Sequence, residues 1–275
     1  MNKSKSPITL VYMPDELKLK DSIKKNDGWW ATIFAAPIAN KMLYYLVDIK
    51  GICPNHLTLF SLLLGLLAAF CFFIHSITAM ICGAILIQVS FIFDCMDGQL
   101  ARYNGSSSNF GAWLDRISDR IKDFSYCFFL ALGWFLKYRE FEFSPINLTS
   151  IQLIFEPWMI WPLSMISSFS LYLIDYYVNQ DMKLEKKEQV FSKSDEFQKK
   201  IFLMVILRKI MKFGLMVYKK IPILRFNIGE QALLLTLFTV FQCTLGLFIF
   251  FSFLGVFYCF YWPFAKIQGY TLDKK

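Results

Sequence analysis

Four aspartates, Asp94, Asp97, Asp115 and Asp119, follow one another at intervals of three, eighteen and four residues, with Gly98, Ala101, Arg102 and Gly111 among them. Residues three or four apart are neighbours on a helix surface, so each pair of aspartates shares one helical face. No charged residue occurs from Ile77 to Phe93 before the first pair, or from Phe124 to Phe135 after the second. Carboxylates at the end of such apolar runs are costly unless something binds them. Hard divalent cations take oxygen ligands and keep waters that a phosphate can replace. The expected chemistry is a displacement at phosphorus assisted by two divalent ions, Mg2+ or Mn2+, held by Asp94, Asp97, Asp115 and Asp119. Gly98 and Gly111 would let a ligand approach the backbone. Ala101 is small for the same reason, and Arg102 offers a planar fork suited to phosphate. No serine, cysteine or histidine is arranged with a base, so a covalent intermediate is not expected.

The elements that must hold these residues are apolar helices. The chain has 275 residues, 56% of them hydrophobic and only 18% charged, where soluble domains carry about 25% charged residues. The apolar residues fall in blocks of about 20, the length that crosses a bilayer. The fold expected is an all-α membrane protein with six transmembrane helices and an N-terminal interfacial amphipathic helix. Residues 1–50 read as a cytoplasmic segment ending in that juxtamembrane helix, with Trp29 and Trp30 at headgroup level and Pro37 interrupting the run. The first 28 residues are polar and lysine-rich, unlike a cleavable signal peptide.

Residues 51–275 read as the six-helix domain. Its first span is expected from about His56 to Ile74, with Asn55 as the N-cap. A turn at His75–Ser76 leads into a second span from Ile77 that continues through Asp94 and Asp97. YNGSSSN is a loop, and the third helix starts near Asn109 with Asp115 and Asp119 in its first turns. A polar link follows, then a fourth span from Ile151 to Tyr176. A basic insert covers 179–227, within which Ile201–Val217 reads as an interfacial helix. Two short spans breaking near Gly246 complete the chain. The net charge is +8, and Lys and Arg crowd the N-terminal 50 residues and the insert. Both termini and the aspartates are therefore expected on the cytoplasmic side. Basic loops facing anionic lipid explain this charge, and no nucleic-acid partner is expected. The seven scattered cysteines and two distant histidines suggest neither a zinc site nor a disulfide framework.

The spacing Asp-x2-Asp-Gly-x2-Ala-Arg-x8-Gly-x3-Asp-x3-Asp matches, without gap or substitution, the signature of the CDP-alcohol phosphotransferase family. The six-span plan resembles that family from about Pro54 to Pro263. The resemblance implies that Asp94, Asp97 and Asp115 hold two metal ions, with Asp119 completing the shell or acting as base. It implies that Gly98, Ala101, Arg102 and Gly111 line a CDP pocket, and that Asn55 and Thr58 lie near the nucleotide. It further implies a CDP-linked alcohol as donor, an alcohol or lipid as acceptor, release of CMP, and a homodimer. CPNHLTLFSLLLG and FGAWLDRISDR look more like members that use a CDP-linked polar alcohol, including CDP-inositol. Arg225 and Arg116 are candidates for binding the acceptor. A divalent-cation transporter is the reading from another class, and it requires carboxylates near mid-membrane rather than at a helix end.

Overall fold

In a computed structural model, residues 15–24, 27–47, 49, 51–139, 146–148, 151–153, 156–188 and 228–273 are described. Helix α1 (Glu16–Asp21) is capped by Asp15, whose Oδ1 accepts hydrogen bonds from the Leu17 and Lys18 amides at 3.0 and 3.1 Å. A π-helical stretch, Ala31–Ala35, leads into α2 (Ala36–Leu46) just ahead of Pro37, where a ring lacking an N–H is best tolerated. Five apolar helices follow: α3 (Pro54–Ile74), α4 (Ile77–Asn104), α5 (Asn109–Tyr138), α6 (Ile160–Glu188) and α7 (Ile228–Val240). Helix α8 (Thr244–Asp273) ends the described chain.

The turns that set the register are written in the sequence. Helix α3 ends on His75 in the left-handed region at φ 50°, and Ser76 then caps α4 by accepting from the Ala79 amide at 3.3 Å. Gly105, at φ 64°, terminates α4, and Ser108 caps α5 through the Gly111 amide at 3.0 Å. Helix α4 has 28 residues, or about 42 Å, against a hydrocarbon core of about 30 Å. Its last turns therefore extend past the apolar length. Asp97 lies seven residues before the end of α4 and Asp115 six residues after the start of α5, so the short loop brings them level.

The core has two parts. Phe72, Met80, Leu130, Leu171, Phe248 and Phe251 join α3, α4, α5, α6 and α8. A second cluster seats Ala31, Ala35, Ala39 and Leu43 of the N-terminal segment on Phe91, Met96 and Leu100 of α4. Large apolar side chains remain exposed around the outside, among them Phe70, Ile85, Phe124, Phe169 and Phe253. Such a surface suits lipid rather than water.

Among the described residues, three helical stretches are long and apolar enough to cross a membrane: Pro54–Ile74, Ile77–Asn104 and Pro157–Tyr176. Ile228–Val240 and Thr244–Cys259 are shorter apolar helices, and the first half of α5 is charged. Several sequence-based boundaries move. The N-cap of α3 is Cys53, with Pro54 in the first turn, so Asn55 is already helical; proline is favoured there because its missing N–H has no helical partner to lose. The expected fourth span does not begin at Ile151. Ile146–Leu148 and Ile151–Leu153 pair instead as an antiparallel hairpin, the one exception to an all-helical fold among the described residues. Helix α6 starts only at Ile160, after a 3-10 turn at Pro157. The break between the last two helices falls at Phe241–Cys243, where Gln242 has φ 56°, and not at Gly246. The expected helix at Ile201–Val217 lies outside the described residues.

Candidate active site

Asp94 and Asp97 come from the end of α4, and Asp115 from the start of α5. One carboxylate oxygen of each lies within 4.8 Å of the others. Asp97 is buried, and the Thr58 hydroxyl of α3 donates a short hydrogen bond to its Oδ2. Oxygen-only donors at this separation suit a hard divalent cation.

Asp119 stands apart from these three. Lys122, one turn further along α5, reaches back with its Nζ 2.8 Å from Asp94 Oδ1 and 2.9 Å from Asp119 Oδ1. It also donates to Ser61 Oγ at 3.2 Å. Lys122 is 6% exposed and Asp119 likewise 6%, so this ion pair is shielded from water and salt. A second, half-buried ion-pair network lies alongside. Arg120 is 3.2 Å from Asp175 of α6 and 3.4 Å from Asp123, and it stacks over Tyr172. Among the described residues, Asp97 and Asp115 take part in no ion pair. Lys122 offsets only one of the four aspartate charges, so the cluster keeps a large negative charge, and the residues present fit a divalent cation where the three oxygens converge.

The triad opens on a cavity of about 630 Å³ between the N-terminal segment, α4, α5, α6 and the start of α7. Gly98, Arg102, Arg116 and Asp119 share its wall with the three aspartates. A Cβ on Gly98 would come within 3.2 Å of an Arg102 guanidinium nitrogen, so the glycine gives that side chain room to lie over α4. The Arg102 Nε donates to the Ser22 carbonyl at 2.5 Å, tying the N-terminal segment to the signature. Arg116 is exposed, and its Nε donates to the Ala112 carbonyl of its own helix at 2.9 Å.

Of the other residues singled out from sequence, Thr58 stands behind Asp97 rather than on the cavity wall. Asn55 and Gly111 face each other, with Asn55 Oδ1 3.3 Å from where a Gly111 Cβ would sit. Neither they nor the half-buried Ala101 lines the cavity. Arg225 lies outside the described residues.

Lys122 and Ser61 were not anticipated, although a lysine leading into the uncharged run of Phe124–Phe135 is a signal that such a cation has a partner. Also unanticipated was the clasp on the N-terminal segment. Glu230 of α7, 3% exposed, accepts from the Trp30 amide at 3.2 Å, and the Trp30 indole donates to Gln88 Oε1 at 3.0 Å. Lys24 and Asp27 of this segment line the cavity opposite the aspartates.

Fold and site together define a helical membrane protein with an acidic, phosphate-suited cavity at the junction of two antiparallel helices. The family model for CDP-alcohol phosphatidyltransferase matches residues 51–238, and the chain belongs to that family. It is 39% identical over 88 residues to archaetidylinositol phosphate synthase of Pyrococcus horikoshii, covering 32% of this chain and 45% of that protein. It is 34% identical over 128 residues to the bifunctional IPC transferase and DIPP synthase of Aquifex aeolicus, covering 46% of this chain and 28% of that one. The chain thus spans less than half the length of either relative. Among solved structures, Mycobacterium tuberculosis phosphatidylinositol phosphate synthase with CDP-DAG bound is 19% identical, with a TM-score of 0.40 over 82% of this chain and 89% of that one. A likeness of that degree carries no argument about the site.

Proposed function

We propose that this protein transfers a substituted phosphate from a CDP-linked alcohol to an acceptor hydroxyl, releasing CMP, in the synthesis of a polar lipid or a related phosphodiester. The carrying observation is the convergence of Asp94, Asp97 and Asp115 across the α4–α5 junction, on a cavity that Arg102 shares. Asp94, Asp97 and Asp115 would hold two divalent cations, Mg2+ or Mn2+, with Asp119 completing the shell or acting as base, and when bound they supply Lewis-acid polarisation of a pyrophosphate. Arg102 offers its remaining guanidinium N–H groups to the nucleotide phosphates, and Gly98 keeps the approach to α4 open. Gly111, Ala101, Asn55 and Thr58 remain assigned to the nucleotide end of the site, Thr58 acting through Asp97.

Asp119 is the base. The acceptor hydroxyl oxygen forms a bond to the β-phosphorus, the bond from that phosphorus to the bridging oxygen breaks, and CMP departs with the electron pair. The hydroxyl proton passes to Asp119. Its carboxylate lies on the cavity wall, 2.9 Å from the Lys122 ammonium.

Six spans with both termini cytoplasmic, an interfacial placement of α2, and a homodimer complete the reading. The inositol in the name of the Pyrococcus relative favours an inositol-bearing substrate. Arg116 and Arg225 are the candidate acceptor ligands. Arg120, held between Asp123 and Asp175, is committed to structure.

The test is CMP release by purified protein with Mg2+ or Mn2+, comparing CDP-inositol, CDP-diacylglycerol, CDP-choline and CDP-ethanolamine against a panel of alcohols and lipids. Asp119→Asn is expected to abolish turnover while CDP binding survives. Near wild-type turnover in that variant would remove Asp119 from the base role, and no metal-dependent CMP release with any pair would remove the activity itself.

A further inference from the structure

We propose that Lys24, carried to the cavity by the N-terminal segment, is a substrate-binding residue that grips a phosphate on the side away from the aspartates. The inference rests on the phosphotransfer reading above and adds to it a ligand from outside the aspartate signature.

The cavity is acidic on the side formed by α4 and α5, where Asp94, Asp97, Asp115 and Asp119 line it. A phosphate drawn to cations held there turns its remaining oxygens the other way, and charge-assisted hydrogen bonds are the strong way to hold them. Four cationic side chains line the cavity: Lys24, Arg102, Arg116 and Arg120. Arg120 is engaged by Asp123 and Asp175. Arg102 and Arg116 stand on α4 and α5 themselves. Lys24 alone of the four comes from the opposite wall.

The protein makes little use of this ammonium. Among the described residues its one ion pair is with Asp27, at 3.6 Å, and the two side chains are 50% and 27% exposed. A pair that long and that wet holds weakly. An ammonium has three protons to donate, while Asp27 Oδ1 already accepts from the Gly28 amide at 2.9 Å. Asp27 therefore steers the lysine without satisfying it.

A lysine on a loose tail could not serve a site, but this segment is fastened on both sides of Lys24. Before it, the buried Ser22 gives its carbonyl to Arg102 Nε at 2.5 Å. After it, the Trp30 amide donates to the buried Glu230 at 3.2 Å, and the Trp30 indole donates to Gln88 at 3.0 Å. Further on, the buried Gln99 donates to the Ala36 carbonyl at 3.0 Å. Polar groups buried in such contacts are costly to leave unpaired. The segment is thus a fixed wall of the site, and Lys24 is presented by it.

The experiment measures affinity by isothermal titration into the full-length protein in detergent with Mg2+. The probes are CDP and myo-inositol 1-phosphate, each beside its counterpart lacking phosphate, cytidine and myo-inositol. Lys24→Gln is expected to weaken one or both phosphate-bearing probes about tenfold, and neither counterpart. A loss confined to CDP places the donor's phosphates at Lys24, and a loss confined to inositol 1-phosphate places the acceptor's there. Lys24→Arg keeps the charge and is expected to retain most of the affinity. Asp27→Asn keeps an acceptor for the Gly28 amide and removes the competing charge, so it is expected to tighten the probe that Lys24→Gln weakens. Lys20→Gln, at an exposed position of α1 away from the cavity, is expected to change nothing.

Unchanged affinity for both phosphate-bearing probes in Lys24→Gln overturns the inference. An equal loss in Lys20→Gln does so too, because the effect is then one of general charge. A loss in Asp27→Asn also does so, because Lys24 and Asp27 then form a structural pair. A wild type that binds no CDP and releases no CMP fails the functional reading itself and this inference with it, and the wild-type titration alone tells that outcome from the others.

Discussion

Thr58→Val tests whether the hydroxyl behind Asp97 organises the metal-binding oxygens. Valine keeps the volume of threonine and removes only the donor. Thr58 is 3% exposed and Asp97 6%, so water cannot replace the lost hydrogen bond without opening the α3–α4 contact. A hydrogen bond to a charged group contributes about 1.5–3 kcal/mol. Loss of a group that hydrogen-bonds to a metal ligand typically changes metal affinity by about 10–100-fold, the same range expressed as a ratio. Mn2+ affinity in the Thr58→Val protein is therefore expected to fall by roughly one to two orders of magnitude, with CMP release recovered in part at high Mn2+. Isothermal titration of Mn2+ into wild type, Thr58→Val and Thr58→Ser gives the comparison, and thermal unfolding of the metal-free proteins controls for folding. Serine retains the donor and is expected to bind within a few-fold of wild type. Equal Mn2+ affinities for valine and wild type would refute the reasoning, as would a valine-like loss in the serine variant.

Arg102→Ala is expected to weaken CDP binding at least tenfold, and Arg102→Lys to rescue it poorly, because an ammonium lacks the fork that bonds Ser22 and a phosphate at once; a normal CDP affinity in the alanine variant contradicts the pocket assignment. The same substitution is expected to speed proteolysis of the N-terminal segment in intact protein, since it removes one of that segment's ties. Gly28→Ala places a Cβ 2.5 and 2.6 Å from the two Glu230 carboxylate oxygens. It is expected to cost about 1–3 kcal/mol, read as a lower Tm, whereas Gly246→Ala, where the nearest neighbour is 3.4 Å away, should leave Tm unchanged. An unaltered Tm in Gly28→Ala would mean that the clasp on α7 yields without strain.

The aspartate site was legible because helical periodicity and a short loop act locally. Asp94 to Asp119 needs only two helices and the capping pair Gly105 and Ser108 to converge. What the sequence did not reveal is what arrives from afar. Ala31, Ala35 and Ala39 recur every four residues, and this small-residue stripe lets the N-terminal segment sit closely on α4; read by composition, the same segment looked too polar and broken to be part of the bundle core. The hairpin at Ile146–Leu153 was read as a link and the start of a span because short apolar runs satisfy both strand and helix patterns. Lys122 carries no such local signal of its partner. Its partner across the site, Asp94, lies 28 residues away and is set by the direction a helical side chain takes, towards the N-terminal end of its own helix.

The aspartates around the cavity divide into groups by their cationic partners. Arg120 pairs with both Asp123 and Asp175, which fastens α5 to α6 and leaves those aspartates little freedom for ligand chemistry. Lys122 pairs with both Asp94 and Asp119, which fastens the end of α4 to α5 and orders the reactive side of the cavity. Only Asp97 and Asp115 are left without a cationic partner among the described residues, and they flank the cavity where a phosphate would enter. Removing a ligand there relieves repulsion, whereas removing a paired aspartate deprives a cation of one of its carboxylates. Asp115→Asn is accordingly expected to leave the metal-free protein as stable as wild type or more so, while Asp175→Asn, which takes one of two carboxylates from the half-buried Arg120, lowers its Tm. Thermal unfolding of the two variants without divalent ions separates the groups, and a large loss of stability in Asp115→Asn would show that the division is wrong.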